Sequence, residues 1–298
     1  MDPCLVPAQG GKKIPRWVGL CLIAIIIIST LASFPTLPRL VTYEIAREIS
    51  RSRLLEAFAG WEELENEKFT VYYRPEDTSA SRLVLDTAMA VYQPVVDLLQ
   101  YEPPAATAIV VHPTQEDLAE AFGWTAQDGG AMGVYWAGVI QILSPNTWLR
   151  TDNPVRRSQL FLENGPVAHE FTHVVVDYKA RGNYPRWLSE GIAQYVEYKL
   201  NGVLWLDQDS SFDQTFYSLE ELEDFSGLEN QNLAYRQALS FVLYMAEVYG
   251  EEKLPEILAH LGRGATLDGA LEEVLGLTRE ELEAEWQAWV ENDRDRWL

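Results

Sequence analysis

The chain has 298 residues, enough for one large domain or two small ones, and its 47% apolar and 23% charged content belongs to a folded protein rather than a disordered one. Asp and Glu number 45 against 23 Lys and Arg; a net charge of -22 argues against nucleic-acid binding, which needs a basic face. The 2 cysteines, Cys4 and Cys21, both lie at the amino terminus, which excludes a structural disulfide, a catalytic thiolate or a zinc-sulfur site in the remainder of the chain.

Residues 1–16 form a basic tail carrying Lys12, Lys13 and Arg16. Trp17 to Phe34 is an 18-residue stretch without a charge, centred on Ile25-Ile26-Ile27-Ile28 and at the lower edge of the length needed to cross a bilayer. The basic flank is expected to stay cytoplasmic, which places the rest of the chain across the membrane. An uncleaved anchor over 17–34 is the expectation. A signal peptide cleaved near Thr30-Leu31-Ala32, giving a secreted protein, is the alternative. Leu20 before Cys21 makes a poor lipoprotein signal.

Pro35 and Pro38 break the chain beyond the apolar run, and residues 35–67 read as a juxtamembrane helix or linker. Leu40, Val41, Ile45, Ile49, Leu55, Phe58 and Leu64, spaced by about three and four, predict a helix from Leu40 to Glu67 that docks on the domain or on another subunit. Residues 68–298 read as one domain. Phe69-Thr70-Val71-Tyr72-Tyr73 predicts a strand, and Thr78 to Leu99 a helix that Pro94 should bend or interrupt. Ala106 to Val111 predicts a central strand, followed by a short helix from Gln115 to Phe122 capped by Thr114. Gly123 to Gly138 is rich in glycine and aromatic residues without the spacing of a phosphate loop. Val139 to Leu143 predicts a third strand, either a core strand or a sheet edge that pairs with an extended peptide.

A helix is expected over Asn153 to Leu162, then another from Pro166 to about Tyr178, and a third from Pro185 or Arg186 to about Leu200. The remainder reads as helices at Asn232–Tyr249, Lys253–Leu261, Leu267–Leu275 and Arg279 to about Arg294. The fold class is α+β, with an amino-terminal mixed sheet and helices followed by a mostly helical carboxy-terminal half.

The helix opened by Pro166 carries His169-Glu170-Phe171-Thr172-His173, an H-E-x-x-H pattern. Residues four apart share a helix face, so His169 and His173 can present two imidazoles to one metal, with Glu170 beside them where a water would lie. A zinc hydrolase needs a third protein ligand and one open position. Glu190 is the best candidate: it lies in the apolar run Trp187-Leu188-Ser189-Glu190-Gly191-Ile192-Ala193, where a carboxylate is costly unless it is paired or metal-bound. Glu197, two turns on and pointing the same way, is the fallback ligand or a supporting group. The other 2 of the 4 histidines, His112 and His260, stand in no ligand-spaced context.

These motifs resemble the gluzincin branch of the zinc metallopeptidases, and more narrowly the bacterial peptidase MA-like domain proteins. The resemblance is carried by His169-Glu170-Phe171-Thr172-His173 and by Trp187 to Tyr195. Weaker support comes from Ala234-Tyr235, Ser240 to Tyr244, the Phe69–Tyr73 strand and Val110-Val111-His112-Pro113. It covers roughly residues 66 to 290 and implies a zincin-like fold. It further implies that His169, His173 and Glu190 bind zinc (Zn2+), that Glu170 is the general base, and that Tyr235 stabilises the oxyanion. Some relatives place an Asp four residues after the ligand glutamate to orient a histidine. This chain has Gln194 there, able to accept the same hydrogen bond without charge, while Asp177, one turn beyond His173, is a second source of that carboxylate or else a surface or helix-capping group.

The function so implied is zinc-dependent hydrolysis of peptide bonds, of the endopeptidase type, by a membrane-anchored extracytoplasmic domain acting on a peptide or protein. A membrane-anchored binding or scaffold module on a weakened fold is the alternative, and the intact Glu170 counts against it. A structural zinc site is a third reading, disfavoured because such sites are closed by four ligands, commonly with cysteine.

Overall fold

A computed structural model of the protein describes residues 36–125, 130–202, 211–212 and 215–292. The expected membrane span at 17–34 lies outside them, and among the described residues no helix is long and apolar enough to cross a bilayer.

Five strands build one mixed sheet: β1 (Glu62–Glu65), β2 (Phe69–Tyr73), β3 (Thr107–His112), β4 (Gly133–Trp136) and β5 (Val139–Leu143), in the order β1-β2-β3-β5-β4. β2, β3 and β5 run parallel, while β1 and β4 close the two edges antiparallel to their neighbours. Composition tracks position. The central strands TAIVVH and VIQIL are buried at every residue, whereas the edge strands EELE and GVYW keep much of their length accessible. β4 and β5 form a hairpin through Ala137 and Gly138, both with positive φ, as a two-residue turn matched to strand twist requires.

The α-helices of the described residues are α1 (Leu37–Glu56), α2 (Thr78–Leu99), α3 (Gln115–Ala121), α4 (Pro145–Trp148), α5 (Pro154–Asn164), α6 (Val167–Ala180), α7 (Arg186–Asn201), α8 (Gln231–Val248), α9 (Lys253–Gly262), α10 (Leu267–Leu275) and α11 (Arg279–Asn292), with short 3-10 turns at Pro75–Asp77, Glu221–Glu223 and Phe225–Gly227. The main core lies between one face of the sheet (Phe69, Val71, Ile109, Val111, Ile140, Ile142) and helices α2 and α6, and runs on into the carboxy-terminal helices. A smaller cluster of Ala108, Val110 and Val139 on the opposite face is covered by Leu54 and Leu55 from the end of α1 and by Phe58 just beyond it.

Three expectations change. The helix expected from Leu40 to Glu67 ends at Glu56, and Glu62–Glu65 turns back as edge strand β1, paired with Thr70–Tyr73. A glutamate-rich stretch of low strand propensity is held there by pairing, not by preference. Pro94 does not interrupt α2, which runs from Thr78 to Leu99 as one helix. Val139–Leu143 is an interior strand, not an edge; the edge is β4, hidden in the aromatic stretch before it. The remaining elements stand within a few residues of expectation, including the Thr114 cap, whose hydroxyl accepts from the Asp117 amide.

Candidate metal centre

α6 ends at Ala180 and is capped by Arg181, which takes a left-handed conformation, and residues 181–185 turn the chain into α7. α6 and α7 then pack together, bringing Glu190 onto the histidine face of α6. Close packing on the other side of α7 depends on Gly191. A Cβ there would stand 2.3 Å from the Ala238 carbonyl oxygen and 2.7 Å from Val242 Cγ2, so only glycine lets α8 approach this near.

The result is a three-donor cluster. His169 Nε2 lies 3.4 Å and His173 Nε2 3.5 Å from the same oxygen, Glu190 Oε2. The donor atoms of His169, His173 and Glu190 all fall within 4.8 Å of one another. Both imidazoles are held from behind: His169 Nδ1 is 2.9 Å from Glu197 Oε2, and His173 Nδ1 is 2.7 Å from Ser189 Oγ. A carboxylate on Nδ1 keeps the proton on that nitrogen and leaves the Nε2 lone pair aimed at the cluster, as a metal ligand requires. The Tyr135 ring stacks on His173 at 6.4 Å between centroids.

Three carboxylates, Glu170, Glu190 and Glu197, crowd this buried site. Without a cation, burial lowers the proton affinity of His169, but Glu197, Glu190 and Glu170 more than reverse it and hold His169 well above the ordinary imidazole range; a metal ion on Nε2 would take the place of that proton. Burial would raise Glu190, yet the two imidazoles hold it well below the usual carboxylate range. The Glu170 carboxyl is pushed up by burial, against the pull of the two histidines. Such an excess of negative charge among converging lone pairs is the electrostatic signature of a cation site. The donor set of two imidazole nitrogens and one carboxylate oxygen, with no thiolate, suits zinc in a hydrolytic rather than a structural role.

Glu170 sits against the sheet edge. A Cβ on Gly133 would stand 2.9 Å from Glu170 Cγ and 2.7 Å from Pro166 Cβ, so a side chain at this place in β4 would displace the carboxylate. Tyr235, on α8, faces the cluster: burial raises its phenol pKa, with Glu190 acting in the same direction and Arg186 and His169 opposing. Its oxygen accepts from Arg186 Nη2 at 2.9 Å, and Arg186 Nε lies 3.4 Å from Glu190 Oε1.

Two supporting roles differ from expectation. Gln194 does not touch a histidine; its amide donates to the Glu190 carbonyl at 3.3 Å and the Tyr235 carbonyl at 2.9 Å, tying α7 to α8. Asp177 does not orient His173 and is no surface group: it is fully buried, accepting from Arg47 Nη1 at 3.1 Å, Tyr135 at 2.7 Å, Tyr184 at 3.2 Å and Tyr43. The orienting carboxylate is Glu197, whose position two turns after Glu190 was its one signal in the sequence. Ser189 and Arg186 gave no such signal, because their roles arise only where α7 crosses α6 and α8. His112 is buried away from the site, with Nε2 2.8 Å from Gln141 Oε1.

An H-E-x-x-H helix beneath the edge of a mixed sheet, with a glutamate returned by the next helix, defines a zincin-like metallopeptidase of the gluzincin type. Residues 127–292, more than half of the chain, match the Peptidase MA superfamily, and the chain belongs to it. No curated protein matches the chain. Fold, metal-binding triad and family together make this a zinc metallopeptidase whose substrate is a peptide or protein.

Proposed function

We propose that the protein is a membrane-anchored zinc endopeptidase whose domain works on the extracytoplasmic side, with Glu170 as general base and Tyr235 as oxyanion donor. The observation that carries the catalytic reading is the convergence of His169 Nε2 and His173 Nε2 on Glu190 Oε2, with Glu170 alongside. His169, His173 and Glu190 would hold the ion, which supplies an acidified water and a Lewis acid for the scissile carbonyl.

Glu170 takes a proton from the attacking water and passes it to the leaving amine. The burial that raises its pKa suits a group that must hold a proton between those two events. Tyr235 donates a hydrogen bond from its hydroxyl to the developing oxyanion, while Arg186 fills an acceptor position on the same oxygen and fixes the phenol's orientation. The outer edge of β4 offers backbone groups to an extended peptide, and Gly133 brings that edge close to Glu170. Anchoring rests on the uncharged 17–34 run and the Lys12, Lys13 and Arg16 flank.

Glu170→Gln should lower peptide hydrolysis by about 10²–10⁴-fold while zinc stays bound, measured as cleavage rate and metal content on the same sample. Retained hydrolysis would remove Glu170 from the mechanism, and loss of both zinc and fold would favour a structural site. Anchoring is tested by carbonate extraction of membranes. A chain released to the supernatant would leave it unsupported.

A further inference from the structure

We infer that α1, which lies outside the family-matched residues 127–292, is a fixed wall of the substrate cleft and shapes a pocket for a bulky apolar side chain on the amino-terminal side of the scissile bond. The inference rests on the peptidase reading above, from which the scissile bond takes its place.

A cleft of about 530 Å³ opens directly beside His173 and Glu190, large enough for a sizeable group. Tyr43, Ala46 and Ser50 of α1 line it together with Tyr135 and Tyr184. Its chemistry follows from where the polar atoms go. The hydroxyls of Tyr43, Tyr135 and Tyr184, together with the Arg47 guanidinium, all converge on the buried Asp177. With those groups spent on one carboxylate, most of the remaining lining is aromatic ring and small aliphatic surface; the two further charged residues of the cleft wall, Arg186 and Glu223, are engaged with Tyr235 and Glu190 and with Arg279 respectively. Such a surface recognises an aromatic or long aliphatic side chain and offers little to a charged one.

α1 is anchored along its length, so the wall is part of the fold. Arg181 grips Glu44 through two hydrogen bonds of 2.7 and 2.8 Å, Thr36 Oγ1 donates to the Gly264 carbonyl at 2.8 Å, and Leu40 is buried. Arg47 lies over the Tyr178 ring at 3.7 Å.

The direction of the chain in the cleft follows from β4. That strand runs from Gly133, against Glu170, to Trp136, at the pocket. A peptide adding to its outer edge in the more stable antiparallel sense runs the opposite way. Its residues before the scissile bond then lie over Tyr135–Ala137 and α1, and those after it pass Gly133.

The test uses the full zinc-loaded chain and a peptide library with cleavage sites mapped by mass spectrometry. Phe, Tyr, Leu and Met should be enriched immediately before the cleaved bond. Ala46→Trp and, separately, Ser50→Phe, which fill the pocket from α1, should lower kcat/KM for a Phe peptide relative to its Ala twin by about ten- to a hundredfold. Enrichment only after the cleaved bond, no enrichment, or an unchanged ratio in both variants would overturn the inference. A second arm measures binding of the same fluorescent peptides to the Glu170→Gln chain. If the wild type hydrolyses nothing while this chain prefers the Phe peptide and loses the preference with Ala46→Trp, the peptidase reading fails and the pocket stands. If binding shows no preference either, the pocket is wrong.

Discussion

His169 and Asp177 stand two turns apart on α6 and illustrate two uses of a buried carboxylate contact. At His169 the partner is Glu197, whose work is to fix a ring so that its other nitrogen meets a metal. Glu197→Gln should therefore weaken zinc binding by about 10–100-fold with little change in unfolding midpoint of the metal-free protein, as read by competition with a chelating dye. At Asp177 the partners are Arg47 and three tyrosines, so the work is holding α1 against α6. Asp177→Asn leaves the buried Arg47 with only the half-exposed Glu48 as an anionic partner and should cost about 3 kcal/mol in denaturant unfolding, with a far smaller effect on zinc affinity. Equal losses of zinc affinity in the two variants would refute this division. Tyr235→Phe should reduce kcat by about 10²–10³-fold with zinc retained and KM little changed. The metal ligands were legible because H-E-x-x-H is a local geometric statement and Glu190 an expensive group in an apolar run. Asp177 was not, since its spacing from His173 matched an orienting role and nothing local reveals that Tyr43 and Arg47 return to the same helix.

At the scale of elements, the α7–α8 crossing sets how accurately Glu190 is delivered. Gly191→Ala adds a methyl group against the Ala238 carbonyl and, although alanine favours a helix, should destabilise the fold by about 1–3 kcal/mol. Because Glu190 is the neighbouring residue, the same variant should bind zinc more weakly; a fully stable variant with normal affinity would show that the two helices have slack. The helices were legible from periodicity, caps and glycine stops, and most ends fall close to expectation. β4 was not, because its hairpin turns on Ala137-Gly138 rather than on the asparagine or aspartate that normally marks such a turn. Its position could be known only from the pairing of Gly133–Trp136 with Val139–Ile142. The early end of α1 has the same cause: pairing with β2 overrides the helical preference of Glu62–Glu65.

For the molecule as a whole, the metal site joins α6, α7 and, through Tyr235 and Gln194, α8, so occupancy and global stability should be linked. Free zinc at a hundred times its Kd should add about 2.7 kcal/mol to the folded state, a rise in Tm of several degrees that a chelator reverses. No such shift is expected for His173→Ala. Fold class and the α+β order were legible from the succession of strand and helix patterns, whereas the cleft, made by α1 folding back over elements distant in sequence, existed only in three dimensions.

The most direct measurement is zinc K-edge absorption on the full chain, paired with metal content per chain. One zinc per chain is predicted, surrounded by nitrogen and oxygen donors at about 2.0–2.2 Å with no sulfur, and lost or re-coordinated in Glu190→Ala. A chain that binds no stoichiometric zinc, or a zinc shell unchanged by Glu190→Ala, would contradict the account.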